Sequence, residues 1–436
     1  MKTKLPPGPR GRILPTLKLL RKPRTYYPYI IKKYGDPLFI NGLNGRVVCT
    51  ANPELIRTIV AADPMIYDPF ATQTLIPLIG ENSLLVISGV EHQRERKLLM
   101  PPFHGDRMRA YANLIEKVTH KHLQKIPRDK VLPIHDVTAE ISMEIIVRAV
   151  FGVESDEKVN TFVAAIQKYV DVGHPFLIFS KMLHRPFFGI GPWDRFVKAR
   201  DIFYDMLMKE IDNRLQNEEP QEDILSLLVS ARYEDGSRMS REALRDHALT
   251  LLFAGHETTA VAMAWAFYHL HKNPQKLNTL HEELQSHNET ELTSLVKLPY
   301  LKAVCDESLR LNPIVSDFLR TLAKPFSIGG YDLEPGYSLA VLVNATHYDE
   351  NIYPQPDEFQ PERFIDKKYR PWEYMPFGGG HRRCIGAAFA LFEMAIVLKT
   401  ALTNRKWQLC EPKPVKAIRR NVTMAPKGGI RMMRLS

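Results

Sequence analysis

The sequence is poor in cysteine, with four in 436 residues: Cys49, Cys305, Cys384 and Cys410. They lie far apart and form no C-x-x-C pair, so we expect neither a disulfide framework nor a structural zinc site. So few cysteines are typical of proteins in a reducing compartment, and the sequence therefore predicts a cytoplasmic protein.

A long apolar run without charge is also missing. The most apolar long stretch, residues 249–270, carries Glu257 near its middle. One charged side chain at the centre of a bilayer costs about 2.5–3.5 kcal/mol. The first ten residues, MKTKLPPGPR, hold three prolines where a secretory signal needs an apolar core. We therefore expect no secretory signal and no transmembrane anchor, and we interpret residues 249–270 as a helix buried in a large core.

Internal repeats, low-complexity tracts and flexible linkers are absent from the sequence, which favours one domain over residues 1–436. We also expect a monomer. The formal net charge is +10. It fits either basic residues scattered over a solvated surface or a basic face that docks an acidic partner. No nucleic-acid-binding motif accompanies the charge, so no nucleic acid is expected as a partner.

Local patterns predict an extended N-terminal part, a mostly helical middle and strand-like segments in the last third of the chain. Two short β-prone runs flank the Asn-Gly pairs of residues 41–45, which predicts a hairpin, and Asn52 with Pro53 predicts the start of a helix. A helix is also expected to end at Gly152, and one helix of about thirty residues is expected to end near Pro274. Residues 326–348 alternate like paired strands, and a last helix is expected to begin at Cys384.

The segment FGGGHRRCIG, residues 377–386, places Cys384 behind a glycine-rich turn and beside Arg382. A helix N-terminus and a nearby cation both stabilise a thiolate. Four interpretations are open: an incidental cysteine in a capping loop, a phosphate-binding loop, a nucleophilic cysteine, or a thiolate ligand of haem iron. A P-loop's Lys-Ser/Thr is missing, and no partner base can be assigned to a nucleophile.

Three other pairs carry chemistry, and each has an ordinary structural explanation beside the functional one. Glu307 and Arg310 lie one helical turn apart and could form a common surface pair. Glu257 and Thr258 place an acid beside a hydroxyl in an apolar helix, which could be a kink with satisfied polar groups. His92 and Arg96 lie four residues apart, so both can point at an anion or line a solvated helix face.

Together these segments resemble the cytochrome P-450 superfamily. FGGGHRRCIG is similar to its haem-binding signature F-G-x-G-x-R-x-C-x-G at every defined position, and ESLR, residues 307–310, matches its E-x-x-R. PERF, residues 361–364, resembles the meander motif, and AGHETT, residues 254–259, resembles the oxygen-activating motif. All four occur in the family's order and cover nearly the whole chain, which is similar to the soluble bacterial members.

The resemblance implies a mainly α fold with a small β-rich lobe around one buried haem b. Cys384 would be the thiolate ligand of the iron, which favours O–O bond cleavage. Phe377 would pack near the sulfur. The haem propionates would be held by charge-assisted hydrogen bonds from Arg382, His92, Arg96 and Arg320.

The family likeness also implies roles for the remaining pairs. Glu307, Arg310 and Arg363 would form a buried network that ties the meander to the core. Glu257 and Thr258 would be the catalytic residues, supplying protons during oxygen activation by general acid catalysis. His256 is interpreted as a packing or helix-bridging residue rather than as a ligand.

By family position, five segments would contact the substrate: residues 70–90, 170–193, 252–254, 313–319 and the region near Thr423. The second segment is rich in aromatic and apolar residues and fits either a lid or an ordinary helical hairpin. Asp317 is unusual, since the family offers an apolar side chain there. It would point away from the pocket or meet a polar group of the substrate.

The expected function is therefore insertion of one oxygen atom from dioxygen into an apolar substrate, a fatty acid or a terpenoid. Electrons would come from NAD(P)H through a separate reductase and a ferredoxin- or flavodoxin-type donor, docked near basic residues such as Arg383. The alternatives are a peroxygenase or an isomerase on the same fold, and a haem-binding sensor without turnover. The Glu257–Thr258 pair disfavours the first two, and the lack of a signalling segment disfavours the third.

Overall fold

A computed structural model of the chain describes residues 5–43, 45–105, 107–173, 177, 184–216, 222–287, 291–403, 405–420 and 422–435. The helices in these ranges are α1 (Ile13–Arg21), α2 (Pro23–Tyr34), α3 (Pro53–Ala61), α4 (Thr72–Ile79), α5 (Gly89–Leu99), α6 (Arg107–Gln124), α7 (Ile134–Phe151), α8 (Asp156–Val172), α9 (Pro192–Gln216), α10 (Ile224–Ser230), α11 (Arg241–Lys272), α12 (Pro274–Ser286), α13 (Pro299–Leu311), α14 (Val343–His347), α15 (Arg363–Asp366) and α16 (Ala387–Leu402). Short 3-10 helices cover Pro64–Ile66, Pro101–Phe103, Leu292–Lys297 and Gly380–Arg382.

The strands are short and belong to four small sheets. They are β1 (Leu38–Gly42), β2 (Gly45–Thr50), β3 (Tyr67–Pro69), β4 (Val131–Pro133), β5 (Phe318–Leu322), β6 (Phe326–Ile328), β7 (Tyr331–Leu333), β8 (Ser338–Val341), β9 (Trp407–Leu409), β10 (Ala417–Arg420), β11 (Thr423–Pro426) and β12 (Arg431–Arg434). The largest sheet has the order β1-β2-β8-β5-β3. The other sheets are β4-β12-β9, β10-β11 and β6-β7. A mainly α fold with a smaller β-rich part is thereby confirmed.

The chain forms two compact units. The first contains Met1–Phe70, Ile115–Ala139 and Thr258–Ser436, and the second contains Ala71–Leu114 and Glu140–Glu257. All strands among the described residues belong to the first unit, and the described secondary structure of the second unit is helical. The single domain over residues 1–436 stays a prediction.

The five-stranded sheet of the first unit begins with the predicted hairpin. Strands β1 and β2 are antiparallel, and Gly42 pairs with Gly45 at the turn. Strand β2 then pairs in parallel with β8. The two sides of this sheet contribute to separate apolar clusters, one around Val48 and Leu339 and the other around Leu38 and Ala340. Alternation of side chains along each strand produces this division.

Helix boundaries follow the capping signals of the sequence. The Asn52 side chain accepts hydrogen bonds from the backbone N–H groups of Glu54 and Leu55, so it caps α3 as predicted. Helix α7 ends at Phe151, and Gly152 has a φ of 60°, the left-handed conformation that glycine adopts without a steric penalty. Helix α11 is continuous over 32 residues and ends two residues before Pro274, also as predicted.

Two predicted elements differ from the structure. Residues 343–347, which were expected to continue a strand, form the short helix α14, and all five are buried. A run that is buried on every side carries no alternation by which strand and helix can be told apart. The last helix begins at Ala387 and not at Cys384. The N–H of Cys384 instead donates to the carbonyl oxygen of Phe377 at 3.0 Å and closes the preceding loop.

In the part of the chain that the structure describes, no helix combines the length and the apolar character that crossing a membrane requires.

Candidate functional site

The cysteine loop, residues 377–386, lies in the first unit, contains the 3-10 turn Gly380–Arg382 and leads directly into helix α16. Gly380 has a φ of 66°, and a Cβ atom there would lie 2.4 Å from the carbonyl oxygen of Val60. A side chain at this position would therefore clash with the backbone of α3, and glycine is required by both conformation and space. The glycines thus serve close packing of the loop on the protein itself.

Cys384 is the exposed one of the four cysteines, while Cys410 is half-buried and Cys49 and Cys305 are buried. Desolvation by burial raises the pKa of the Cys49 and Cys305 thiols well above the ordinary value, so both stay protonated and are unsuited to bind a metal as thiolates. The sulfur of Cys384 lies beside the N-cap of α16, since a Cβ placed on Gly386 would be 4.0 Å from it. The sulfur therefore lies near the amino-terminal end of α16, where the helix dipole favours a thiolate, even though α16 begins three residues later.

Arg320 on β5 holds the cysteine loop from the side of the sheet. Its Nη2 donates to the carbonyl oxygen of Gly379 at 2.5 Å, and its Nη1 lies 3.0 Å from Nδ1 of His381. The guanidinium is also 5.3 Å from the centre of the Tyr67 ring, which stacks on His381. The structure thus brings Arg320 to the loop that carries Phe377, Arg382 and Cys384.

The environment of Arg320 fits an anionic cofactor. The side chain is 3% exposed, and desolvation lowers its pKa from 12.5 to about 10. Among the described residues, its hydrogen-bond acceptors are a carbonyl oxygen and an imidazole nitrogen, and neither is a carboxylate. A buried cation is costly unless an anion compensates it. A carboxylate group such as a haem propionate would supply that compensation.

Glu307, Arg310 and Arg363 form a buried network in the first unit. The Nε and Nη2 of Arg310 donate to the two carboxylate oxygens of Glu307 at 2.6 and 2.8 Å, and the Nε of Arg363 donates to Glu307 Oε1 at 3.2 Å. The side chains of Glu307 and Arg310, both on helix α13, are 0% exposed. The bidentate geometry makes this a strong, directional contact, unlike the common surface pair that spacing alone would suggest.

The remaining donors of the two arginines bind the backbone of the meander segment, residues 354–362. Arg310 Nη1 donates to the carbonyl oxygen of Pro356 at 2.9 Å, and Arg363 Nη1 donates to that of Pro354 at 2.7 Å. The backbone N–H of Gln360 donates to Glu307 Oε1 at 3.0 Å. The network therefore satisfies the polar backbone of a segment that has no regular strand or helix partner of its own.

His347 belongs to the same network and was missed by sequence reasoning. Its Nδ1–H donates to the carbonyl oxygen of Arg310, and its Nε2 accepts from the backbone N–H of Met375 at 3.1 Å. This pair of contacts requires the neutral ring, and desolvation, reinforced by Arg310, lowers the pKa of His347 from 6.5 to about 3. Both partners are about thirty residues away or more, so no local sequence pattern marks the residue.

Glu257 and Thr258 are neighbours on α11, and both are half-buried. His256 beside them bonds within its own helix, since its Nδ1 donates to the carbonyl oxygen of Leu252 at 2.8 Å, and desolvation lowers its pKa. Gly255 allows a close approach, because a Cβ there would be 2.9 Å from Cδ1 of Ile146 on α7. Gly255 therefore permits close packing of α11 against a neighbouring helix.

His92 and Arg96 lie on α5, four residues apart and therefore on the same face of the helix. His92 is buried and Arg96 is half-buried. The side chain of Glu95 between them takes a different direction and accepts a hydrogen bond from Nε2 of His247 at 2.9 Å. His92 and Arg96 are thus placed in the structure as neighbours, and their binding of propionates stays a prediction.

Two of the predicted substrate-contacting segments meet in the first unit. The backbone N–H of Met424, next to Thr423, donates to the carbonyl oxygen of Ile314 at 2.8 Å. Asp317 pairs with Arg419 at 3.1 Å, and Arg419 also donates to the hydroxyl of Ser316 at 2.8 Å. Asp317 therefore has an internal cationic partner, which accounts for an acid at this position.

The other segments belong mostly to the second unit. The Tyr169 hydroxyl donates to the carbonyl oxygen of Leu78 at 2.8 Å, and its ring packs on Phe196 and Phe253. These contacts join α4, α8, α9 and α11 through one aromatic cluster. Of the predicted segment 170–193, residues 174–176 and 178–183 lie outside the described residues.

Within the described ranges, no group of three or more His, Cys, Asp and Glu residues is arranged to hold a metal ion. A site with a single protein ligand, such as a haem-binding cysteine, is not such a group.

Comparison with known proteins gives one consistent family. The Cytochrome P450 family model matches residues 6–432. The chain is 32% identical to the Putative cytochrome P450 138 of Mycobacterium tuberculosis over 99% of its own length and 96% of the relative's. It is 30% identical to the Putative cytochrome P450 135B1 of the same species over 98% of its own length and 91% of the relative's.

Solved structures share the fold at lower sequence identity. A retinoic acid-bound cyanobacterial CYP120A1 superposes with a TM-score of 0.86 at 24% identity and covers 99% of both chains. The cytochrome P450DA heme domain gives the same TM-score at 20% identity, covering 99% of this chain and 98% of that one. The family match therefore extends over nearly all of the sequence and agrees with the fold. The chain belongs to the cytochrome P450 family and, as a member, is a haem-dependent monooxygenase that acts on a small molecule with electrons from a redox partner.

Proposed function

We propose that this monooxygenase inserts one oxygen atom into an apolar substrate, a fatty acid or a terpenoid. The observation that carries the proposal is the acid–hydroxyl pair Glu257–Thr258, half-buried in the continuous helix α11. Leu252 before the pair and Ala260 and Val261 after it are apolar and buried, whereas His256 and Thr259 extend the pair into a short polar run. Because burial of polar groups is costly, such a run in an apolar helix fits a chemical role.

Cys384 is the proposed iron ligand, and Arg320 and Arg382 with His92 and Arg96 are the proposed propionate partners. When bound, the haem supplies the iron at which dioxygen is activated. The chain holds the sulfur in place through the Cys384 N–H bond to Phe377 and through Arg320 on Gly379. Thr258 would hold a water molecule by its hydroxyl, and Glu257 would relay protons to it, an effect worth about 10²–10⁴ in rate.

The electron donor is proposed to be a separate ferredoxin or flavodoxin fed by NAD(P)H. Arg383 is exposed next to Cys384, so an acidic donor could approach the sulfur side of the site. Charges at the edge of such an interface act mainly on the association rate and make it depend on salt.

Thr258→Ala tests the proton-supplying role. We expect NAD(P)H consumption to continue while product per electron falls and hydrogen peroxide rises, because the hydroxyl that positions the water is lost. Thr259→Ala, which removes the adjacent buried hydroxyl, is the matched control and should keep its coupling. Equal product per electron in Thr258→Ala and the wild type would refute the role.

Cys384→Ser tests the ligand assignment. The wild-type protein, reduced and exposed to carbon monoxide, should show the red-shifted Soret band of a thiolate-bound haem, and the variant should not. Cys410→Ser is the control because Cys410 is the other cysteine that is not fully buried. Loss of the red-shifted band in the control alone would contradict the assignment.

The substrate class is tested by spin-state titration with fatty acids and terpenoids. Retinoic acid belongs in the first panel because a protein of the same fold binds it. A spectral shift with apolar compounds, followed by NAD(P)H-dependent oxygenated product, supports the proposal. Turnover with hydrogen peroxide alone, and none with a reductase system, would favour the peroxygenase alternative.

A further inference from the structure

The positive charge of the chain is concentrated at its amino-terminal end. Residues 1–35 contain ten Lys and Arg residues and no Asp or Glu, while the net charge of the whole chain is +10. The remaining residues are therefore electrically balanced. Composition alone also allows basic residues scattered over the whole surface. That arrangement would not place the entire net charge in one segment of the chain.

Helix α1 also exposes large apolar side chains. Ile13 is 63% exposed, Leu14 62%, Leu17 37% and Leu20 43%. At 100° per residue, Ile13, Leu17 and Leu20 lie within about 60° of one another around the helix axis, so they form one stripe. Leu14 borders this stripe, about 60° from Leu17, and we call the side chains of Ile13, Leu14, Leu17 and Leu20 the apolar stripe.

The opposite face of α1 is packed against the first unit. Pro15 is buried, and Leu19 packs against the core cluster that contains Tyr27 and Ile30. The start of the helix is anchored by Arg12, whose Nε donates to the carbonyl oxygen of Gly42 at 2.8 Å. The apolar stripe is therefore held outward by the packing of the rest of the helix.

Exposed basic side chains accompany the apolar stripe along α1 and α2. Lys18, Arg21 and Lys22 are exposed in and just after α1, and Lys32 and Lys33 are exposed at the end of α2. Tyr29 on α2 is also exposed, and the ammonium group of Lys33 lies 5.9 Å from the centre of its ring. Together these residues place apolar side chains among cations over two consecutive helices.

We propose that α1 and α2 bind the surface of a membrane that contains anionic lipid, with the apolar stripe inserted among the acyl chains. A stripe of exposed apolar side chains with flanking Lys and Arg is typical of helices that lie in the membrane interface. An acidic protein would be attracted by the same cations, but four outward apolar side chains are better matched by a lipid phase. The inference goes beyond the proposed function, because it concerns where the enzyme meets its apolar substrate and not the reaction.

The geometry excludes a spanning mode. Helix α1 has nine residues and is about 13.5 Å long, whereas the hydrocarbon core is about 30 Å thick. The helix can therefore lie along the surface, with its stripe entering to a depth of about 5–10 Å. Contact of this kind agrees with the finding that no described helix is suited to cross a bilayer.

Vesicle flotation of the full-length, haem-loaded protein tests the proposal. We expect the protein to float with vesicles of phosphatidylcholine and phosphatidylglycerol in a 1:1 ratio (about 50% anionic lipid) and to remain unbound with phosphatidylcholine alone. Raising the salt from about 50 mM to about 500 mM should weaken binding, because screening shortens the reach of surface charges. Equal binding to both vesicle types, or to neither, would overturn the proposal.

Two pairs of variants separate charge from insertion. Lys22→Glu with Lys32→Glu should lower the partition coefficient at least tenfold, since each basic side chain near an anionic surface contributes about fivefold. Lys125→Glu with Lys297→Glu carries the same charge change on exposed residues outside α1, α2 and the strand β10 that packs on α1, and should leave binding within about twofold. The side chains of Lys22, Lys32, Lys125 and Lys297 have no hydrogen-bond or ion-pair partner among the described residues, so these changes break no such contact.

Leu17→Gln with Leu20→Gln tests the apolar stripe. Binding should fall at least tenfold, whereas Val131→Gln with Leu435→Gln, which changes exposed apolar residues elsewhere, should bind like the wild type. The carbon monoxide spectrum of every variant establishes that the haem site is intact. If the apolar variants bind vesicles normally, or if the Lys22/Lys32 variant impairs only electron transfer from an acidic donor, the surface docks a protein and the lipid proposal is wrong.

Discussion

Replacing Glu307 by Gln removes the charge at the centre of the buried network and almost nothing else. The amide is nearly isosteric with the carboxylate, so no cavity is created. In the wild-type protein, Oε1 accepts from Arg310, Arg363 and the N–H of Gln360, and Oε2 accepts from Arg310 Nε at 2.6 Å. The amide oxygen can occupy one of these positions. The amide NH₂ must then face a guanidinium donor, and that hydrogen bond is lost.

The expected loss is about 3–5 kcal/mol, the range for removing one partner of a buried ion pair. The large value applies because Arg310 is 0% exposed, so its charge cannot regain water without opening the core. A unit of this size loses roughly 2 °C in melting temperature per kcal/mol, which gives a decrease of roughly 6–10 °C. The meander segment should loosen first, because its carbonyl oxygens are bound by the two arginines.

Thermal unfolding followed by circular dichroism, with hydrogen exchange of residues 354–362, measures both effects. Arg57→Gln is the control: Arg57 pairs with Glu54 at 3.1 Å, and both side chains are more than half exposed. Such surface pairs contribute about 0–1 kcal/mol, so the control should change the melting temperature by no more than about 2 °C. A shift in Glu307→Gln no larger than in Arg57→Gln would show that the network does not stabilise the fold.

Three further predictions concern neighbouring residues. Arg363→Ala should yield mostly haem-free or insoluble protein, measured as haem per chain after purification, and wild-type haem content would contradict the anchoring of the meander. Arg320→Gln should speed haem transfer to an apo acceptor at least several-fold, while Arg46→Gln, on strand β2 of the same sheet and separated from β5 by β8, should not. His347 is neutral in the fold, with a pKa of about 3 against 6.5, so its stabilising effect is complete above pH 6.5 and is lost as the pH falls toward 3. Protonation of His347 in the unfolded chain lowers the free energy of unfolding by about 1.4 kcal/mol per pH unit in that window. His347→Gln should therefore reduce the loss of stability between pH 6 and 5, and an unchanged slope of stability against pH would refute this.

Short-range signals predicted local structure well. Asn52 caps α3, Gly152 ends α7, and the Asn-Gly turn forms the β1–β2 hairpin, because each depends on residues a few positions apart. The apolar run also placed Glu257 and Thr258 on one long helix, which the structure has as α11. The start of α16 was misplaced by three residues, since the N–H of Cys384 binds back to Phe377 and the helix begins only after that loop closes.

Contacts between distant segments were beyond sequence patterns. The pairing of Asp317 with Arg419 joins residues about a hundred positions apart, and that of His347 with Arg310 and Met375 depends on three separate elements. An acid or a histidine in these places carries no periodicity and no spacing signal. Their roles follow from burial and from which backbone groups need a partner, and both are properties of the folded chain.

The cysteine loop shows why the signature glycines and the remote arginines have to be considered together. A loop with no regular hydrogen-bond ladder must be held by other elements if a sulfur is to stay in one position. Gly380 fits against the backbone of Val60 on α3, and Arg320 on β5 binds the carbonyl oxygen of Gly379. A larger residue at 380 would push the loop off α3, and loss of Arg320 would free it from the sheet.

The guanidinium of Arg320 is buried without a carboxylate partner among the described residues, so it can bind the loop and an anionic cofactor together. Loop position and cofactor retention should therefore fail together when Arg320 is changed, whereas they would fail separately if the arginine served only one of them.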